Sequence, residues 1–269
     1  MRRAVLAAVA ATATGVGLIT ASLTPASAAT SYVVNRAVDP HSGRSVVVRW
    51  SPCQITASGT STHYITYRVN TGGHPSRITL VKEALAKVTA ASGLRFRYLG
   101  TTTYIPRNAV LHYRSGNRYV FDAAQEREMT GAEFVVAWAA KSRTNLLSGT
   151  EAASGTASWS GSAASQLRIV QAAVIMRAGV VLPSGFRAGA SVGTLLLHEL
   201  GHAVGIEHVT APSQLMYPTL GSWSPTGYSS GDRAGLRLVG RAAGCFRTRA
   251  SAPANPAAMA RAAGVSVTG

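Results

Sequence analysis

The chain has 269 residues, 46% hydrophobic and 13% charged, which is enough apolar side chain for one core and too much for an intrinsically disordered protein. Its formal charge of +16 comes mostly from arginine. That balance favours acidic partners, such as anionic cell-envelope polymers, through long-range attraction; with no nucleic-acid-binding motif in the chain, no nucleic acid is expected.

Met1, Arg2 and Arg3 precede an Ala/Val/Leu-rich stretch that ends in Ala26-Ser27-Ala28, the three regions of a secretory signal peptide, with cleavage expected after Ala28. Thr12, Thr14 and the glycines interrupt the apolar stretch short of a bilayer span, so no membrane span is expected once the signal is removed. The domain plan is therefore a signal peptide over 1–28, an N-terminal segment carrying Cys53 over 29–61, one catalytic domain over 62–247 and a flexible Ala/Pro/Ser-rich tail over 248–269. Extracellular localisation and a monomer are expected. The two cysteines, Cys53 and Cys245, imply in an exported protein one disulfide tying the ends of the domain together.

Residues 64–70 read as a first strand, bounded by Thr71-Gly72-Gly73. Ile78, Val81, Leu85 and Val88 recur at helical spacing, with Ser76 as a cap and Gly93 as a stop. Leu94, Phe96 and Tyr98 alternate with Arg95 and Arg97, the pattern of a half-buried strand. Residues 101–131 are polar and irregular and read as a surface insertion. The continuous apolar run 134–139 predicts a buried strand, and 155–159 and 169–176 predict two more. Ser229 or Ser230 caps a final helix containing Asp232, Leu236 and Val239.

The run 198–208, HELGHAVGIEH, carries the chemistry. His198 and His202 stand four apart, so on a helix both rings project from one face and chelate a single ion. Gly205 takes a left-handed conformation without a Cβ clash, the helix stops, and the chain turns back to bring His208 as third ligand. Three neutral nitrogens leave a fourth zinc position to water, whose pKa falls to about 7. Glu199 is angled to reach that water rather than the ion and is the candidate general base. One catalytic Zn2+ is expected.

With the stretch Gln214-Leu215-Met216-Tyr217-Pro218, this motif resembles the metzincin metallopeptidases, in which the long zinc motif is followed by a tight turn containing methionine. Val209 after the third histidine, and LMYP further on, are most similar to the matrixins. The resemblance implies an α+β zincin-like domain: a twisted mixed sheet, a long active-site helix and a C-terminal helix after the methionine turn. Met216 would lie as a polarizable floor beneath the histidines. The strand at 155–159, with Ala157 within it, would run along the cleft and pair its backbone with an extended substrate; Pro218 and Leu220 would help wall the pocket for the residue after the scissile bond.

The implied activity is hydrolysis of internal bonds in protein or peptide substrates. Two rivals are a peptidase of cell-wall cross-bridges and a secreted zinc-containing protein that binds acidic envelope polymers without turnover; the presence of Glu199 argues against the second. Cys53 as a zymogen switch is the rival to the disulfide, although Ser51-Pro52-Cys53-Gln54 does not match the family's switch sequence. The second, structural zinc of animal matrixins is not expected, because no histidine lies between His112 and His198 and a closed zinc shell needs about four nitrogen or sulfur-rich ligands. Calcium is left open, since backbone carbonyls supply part of such sites.

Overall fold

The computed structural model of the chain describes residues 30–38, 43–56, 58–107, 112–114, 118–120, 131–147, 149–161, 167–246 and 263–267. The segment read as a signal peptide lies outside the described residues. No helix among the described residues is long and apolar enough to cross a membrane.

Tyr64–Asn70 forms the predicted strand, β6, after five short strands: β1 (Val33–Val34), β2 (Arg36–Val38), β3 (Ser45–Arg49), β4 (Cys53–Thr56) and β5 (Gly59–Thr62). Helix α1 (Arg77–Ser92) buries Val81, Ala84, Leu85 and Val88, a stripe at the helical period. It crosses over to β7 (Arg95–Thr101), which pairs parallel with β6, since parallel neighbours need such a connection. Gly93 ends α1 in the left-handed region at φ 73. Ser76 does stand at the N-cap, but its hydroxyl makes no capping bond. Its backbone is already helical at φ −58 and ψ −21, whereas a capping side chain needs the extended region to reach the first free N–H groups. The turn before it serves instead, with Arg77 N–H donating to His74 O and Ile78 N–H to Pro75 O.

Strand β10 (Phe134–Ala139) is buried at all six positions and pairs parallel on both sides, with β6 and with β12 (Leu167–Arg177), as a continuous apolar run should. Strand β11 (Ala153–Gly161) runs antiparallel to β12, so the sheet, in which β7-β6-β10-β12-β11 are successive neighbours, is mixed. The region read as a surface insertion departs from that reading at its start and in its middle. Strand β7 extends to Thr101, and Tyr104 is 1% exposed in a small second core with Val135, Ala137, Leu146, Leu147 and Ile175. Asn70 draws it in by donating to the carbonyls of Thr103 and Tyr104. Further along, β8 (His112–Arg114) and β9 (Arg118–Val120) form a hairpin.

Helix α2 (Val192–Val204) lies against β11 and β12 with every residue from Gly193 to Val204 buried. Its first turn is closed by a reciprocal cap: Thr194 N–H donates to Ser191 Oγ at 3.2 Å and Ser191 N–H to Thr194 Oγ1 at 2.9 Å. The last helix, α3 (Ser230–Val239), follows Ser229, whose N–H donates to Asp232. Three short strands complete the fold: β13 (Ile206–Glu207), β14 (Thr219–Leu220) and β15 (Ala263–Val267). The last falls inside the segment read as a flexible tail.

The N-terminal segment packs onto the zinc-motif helix. Strand β1 pairs with β13, β3 pairs with β12, Asn35 N–H donates to Gly205 O, and buried Trp50 donates its ring N–H to Ala203 O at 3.0 Å. Cys53 and Cys245 are bonded, with Cα atoms 5.4 Å apart across 192 positions of sequence, which excludes a free switch cysteine.

Candidate metal centre

The end of α2 is shaped by three glycines. Gly205 stands at φ 108, and its N–H donates to Gly201 O and His202 O, so the chain leaves the helix and His208 returns beside the two helical histidines. A Cβ on Gly201 would sit 2.5 Å from Met216 Sδ; only hydrogen lets the methionine pack directly beneath the turn that joins His198 to His202. On the opposite side Gly155 of β11 rests on the Glu199 backbone carbonyl, where no Cβ fits. The motif glycines are therefore matched to particular neighbours.

Three imidazoles converge. His198 Nε2 lies 3.1 Å from His208 Nε2 and 3.2 Å from His202 Nε2, close to the roughly 3.3 Å that a tetrahedral ion with Zn–N bonds of about 2.0–2.1 Å requires. The other nitrogen of each helical histidine is occupied: His198 Nδ1–H donates to Leu215 O at 2.8 Å and His202 Nδ1–H to Ile206 O at 3.0 Å. Those bonds fix the tautomer of the two helical rings and leave their Nε2 lone pairs directed at the common centre. Burial, with His208 adjacent, pushes His198 down to about 3, and burial lowers His202 and His208 as well. All three are thus neutral, the form that binds metal. Among the described residues this is the only cluster of histidine, cysteine or carboxylate side chains able to hold an ion.

Glu199 is fully buried, and neither carboxylate oxygen has a hydrogen-bond partner. Burial pushes its carboxyl well above the usual range; the Gly155 N–H offsets this in part without reaching hydrogen-bonding geometry. An unpaired buried carboxylate is costly in a fold that gains nothing from it. Here it follows His198 directly on the helix that carries two of the three converging imidazoles, which suits a cation and a water that donates to Glu199.

Behind the histidines lies a support that the spacing of the motif does not reveal. Asp232, 1% exposed on α3, accepts from Leu215 N–H at 2.7 Å, Met216 N–H at 3.2 Å and Ser229 N–H at 2.8 Å. Gln214 Oε1 accepts in return from Gly231 and Asp232 N–H, and Tyr228 Oη–H donates to Leu197 O. The carbonyl of Leu215 is the one that holds His198, so the final helix positions a ligand at one remove. Val209 N–H donating to Met216 O closes the loop between third histidine and methionine. The one sequence signal for this support was Asp232 three residues after a serine cap.

The peptidase M10 family model, described as matrixin, matches residues 60–237. The chain belongs to the matrixin family. No curated protein matches it. As a matrixin it is a zinc metallopeptidase with an α+β fold, and the triad of His198, His202 and His208 supports a catalytic zinc ion. The remaining residues expected at the matrixin site stand as follows. Met216 is buried beneath the helix. Ala157 on β11 and Leu220 on β14 are buried in the main core, neither side chain facing solvent. Pro218 is exposed just before β14.

Proposed function

We propose that this matrixin is a secreted endopeptidase that hydrolyses internal bonds of extended peptides, with Glu199 as general base. The observation that carries the reading is the unpaired, fully buried carboxylate of Glu199 on the same helix as His198 and His202, whose ring nitrogens converge with that of His208. Zinc, when bound, supplies a Lewis acid for the scissile carbonyl and acidifies the attacking water. Glu199 takes the proton of that water at its carboxylate and hands it to the leaving amine, so that one water is consumed for each C–N bond broken. Gly155, pressed on the Glu199 carbonyl, keeps the edge strand against the helix that carries the base. A peptide added to that edge is held by main-chain bonds, while its alternate side chains set the preference. A protein that only binds polymers has no use for Glu199 in this setting.

Export is supported by the three-part leader pattern and by the Cys53–Cys245 bond. Excess arginine then suits work close to anionic envelope polymers. The test is digestion of an unfolded protein followed by mass spectrometry of the fragments. Cleavage at internal positions, abolished by a zinc chelator and restored by zinc, is the expected result; trimming confined to chain ends contradicts the endopeptidase reading.

A further inference from the structure

The two segments expected to hold substrate are both already paired, and with the same stretch of this chain. Strand β15 lies antiparallel to β11, with Val265 opposite Ala153, Gly264 opposite Ser154 and Ala263 opposite Gly155. Its next two residues pair parallel with β14, Ser266 opposite Thr219 and Val267 opposite Leu220. It also packs along α2. The segment therefore fills the slot bounded by the cleft-edge strand, the stretch after the methionine turn and the zinc helix. Its first residue is in register with Gly155, the residue resting on Glu199.

We propose that Ala263–Val267 is an internal ligand of the peptide-binding cleft, competing with substrate for the edge of β11. The inference rests on the peptidase reading above for where substrate lies. Three features of the segment suit the slot. Its sequence, Ala-Gly-Val-Ser-Val, is uncharged and made of small and β-branched residues, so it adds to a sheet edge without placing a charge beside the zinc helix. Its switch from one partner strand to the other, between Val265 and Ser266, lets a single extended chain bridge both walls. The 16 residues that separate it from Phe246 form a tether that holds a ligand at an effective concentration in the millimolar range. A self-ligand with a dissociation constant of about 0.1 mM then raises the apparent KM for a small peptide about tenfold and leaves kcat unchanged. The class of external ligand implied is the same: uncharged extended peptides of small and β-branched residues.

The test compares the full chain with a form ending at Phe246, which keeps Cys245, and with a variant carrying both Gly264→Pro and Val265→Pro. Neighbouring N–H groups of a strand point to opposite edges, so the double substitution removes a donor toward each wall. Both altered forms should show a KM about tenfold lower with kcat unchanged, while intact mass confirms that the full chain stays whole during the assay. In the Glu199→Ala background, amide hydrogen exchange at 153–155 should be slow in the full chain, fast in the shortened one, and slow again on adding a synthetic peptide of residues 261–269. Unchanged KM in an active shortened enzyme, together with unprotected 153–155 in the full chain, overturns the proposal and leaves the peptidase reading intact. A shortened wild-type form that cleaves nothing, while its Glu199→Ala counterpart still binds the peptide, supports the internal ligand and defeats the peptidase reading.

Discussion

Asp232 offers the sharpest test of how the metal centre is supported. Replacing it by alanine leaves the N–H groups of Leu215, Met216 and Ser229 without their acceptor. A buried donor left unsatisfied costs about 1–3 kcal/mol. Water entering the space of the lost carboxylate recovers part of that for three neighbouring donors, so about 3–6 kcal/mol of stability is expected to go. Asp232→Asn keeps one acceptor oxygen for Leu215 and Ser229 but turns an amide N–H2 toward Met216 N–H, and should cost about 1–3 kcal/mol. The same loss loosens Leu215 O, the acceptor for His198 Nδ1–H, and removing a partner of this kind lowers metal affinity by about 10–100-fold. Urea unfolding of the metal-free variants gives the first quantity, and titration against a chromophoric zinc chelator gives the second. An alanine variant within about 0.5 kcal/mol of wild type, with unchanged zinc affinity, would refute the argument that the final helix positions the ligand.

Gly201→Ala should destabilise by about 1–3 kcal/mol through overpacking against Met216 Sδ, and adding Met216→Ala should recover part of that loss in a double-mutant unfolding cycle. Reducing Cys53–Cys245 should add two hydrogens to the intact mass and lower stability by about 2–5 kcal/mol, near the upper end because the closed loop is long; two thiols alkylated without reductant would contradict the bond. His63 Nε2 lies 2.8 Å from Glu133, with Arg168 also facing His63. Burial works against both charges, yet the pairing outweighs it, raising His63 above 6.5 and lowering Glu133 below 4.5. The pair therefore contributes fully between those two ordinary values; the contribution fades at higher pH as His63 loses its proton through its raised pKa, and at lower pH as Glu133 gains one through its lowered pKa. The stability gap between wild type and His63→Gln should accordingly be larger at about pH 5.5 than at about pH 9, and an equal gap would remove the pair from the account.

What was legible in the sequence was local or unique. His198, His202, Gly205 and His208 form a constellation within one helix and its exit turn, so spacing alone conveys their convergence. Only two cysteines were available to bond. Strands β6 and β10 carried apolar patterns that a buried sheet demands, and both lie where those patterns stand. The illegible parts depend on contacts remote in sequence. Ser76 has the right residue type at the right position, but its backbone had already turned helical. Asp232 reads as an ordinary helix-start residue until the fold brings Leu215 and Met216 against it. Gly155 reads as a poor strand residue, and its reason is the Glu199 carbonyl, 44 positions away in the chain. The pairing of β15 is the extreme case: its partners are Ala153–Gly155 and Thr219–Leu220, while the Ala/Pro/Ser-rich composition around it suggested no order.

The central claim is that ligand and base are separate residues of one zinc site, and it is tested most directly by measuring zinc content and peptide turnover together in Glu199→Ala and His202→Ala. Glu199→Ala should retain one zinc per chain and lose most of its turnover, by about 10²–10⁴-fold. His202→Ala should lose the zinc itself and, with it, the activity. Full turnover in Glu199→Ala, or undiminished zinc in His202→Ala, would contradict the account.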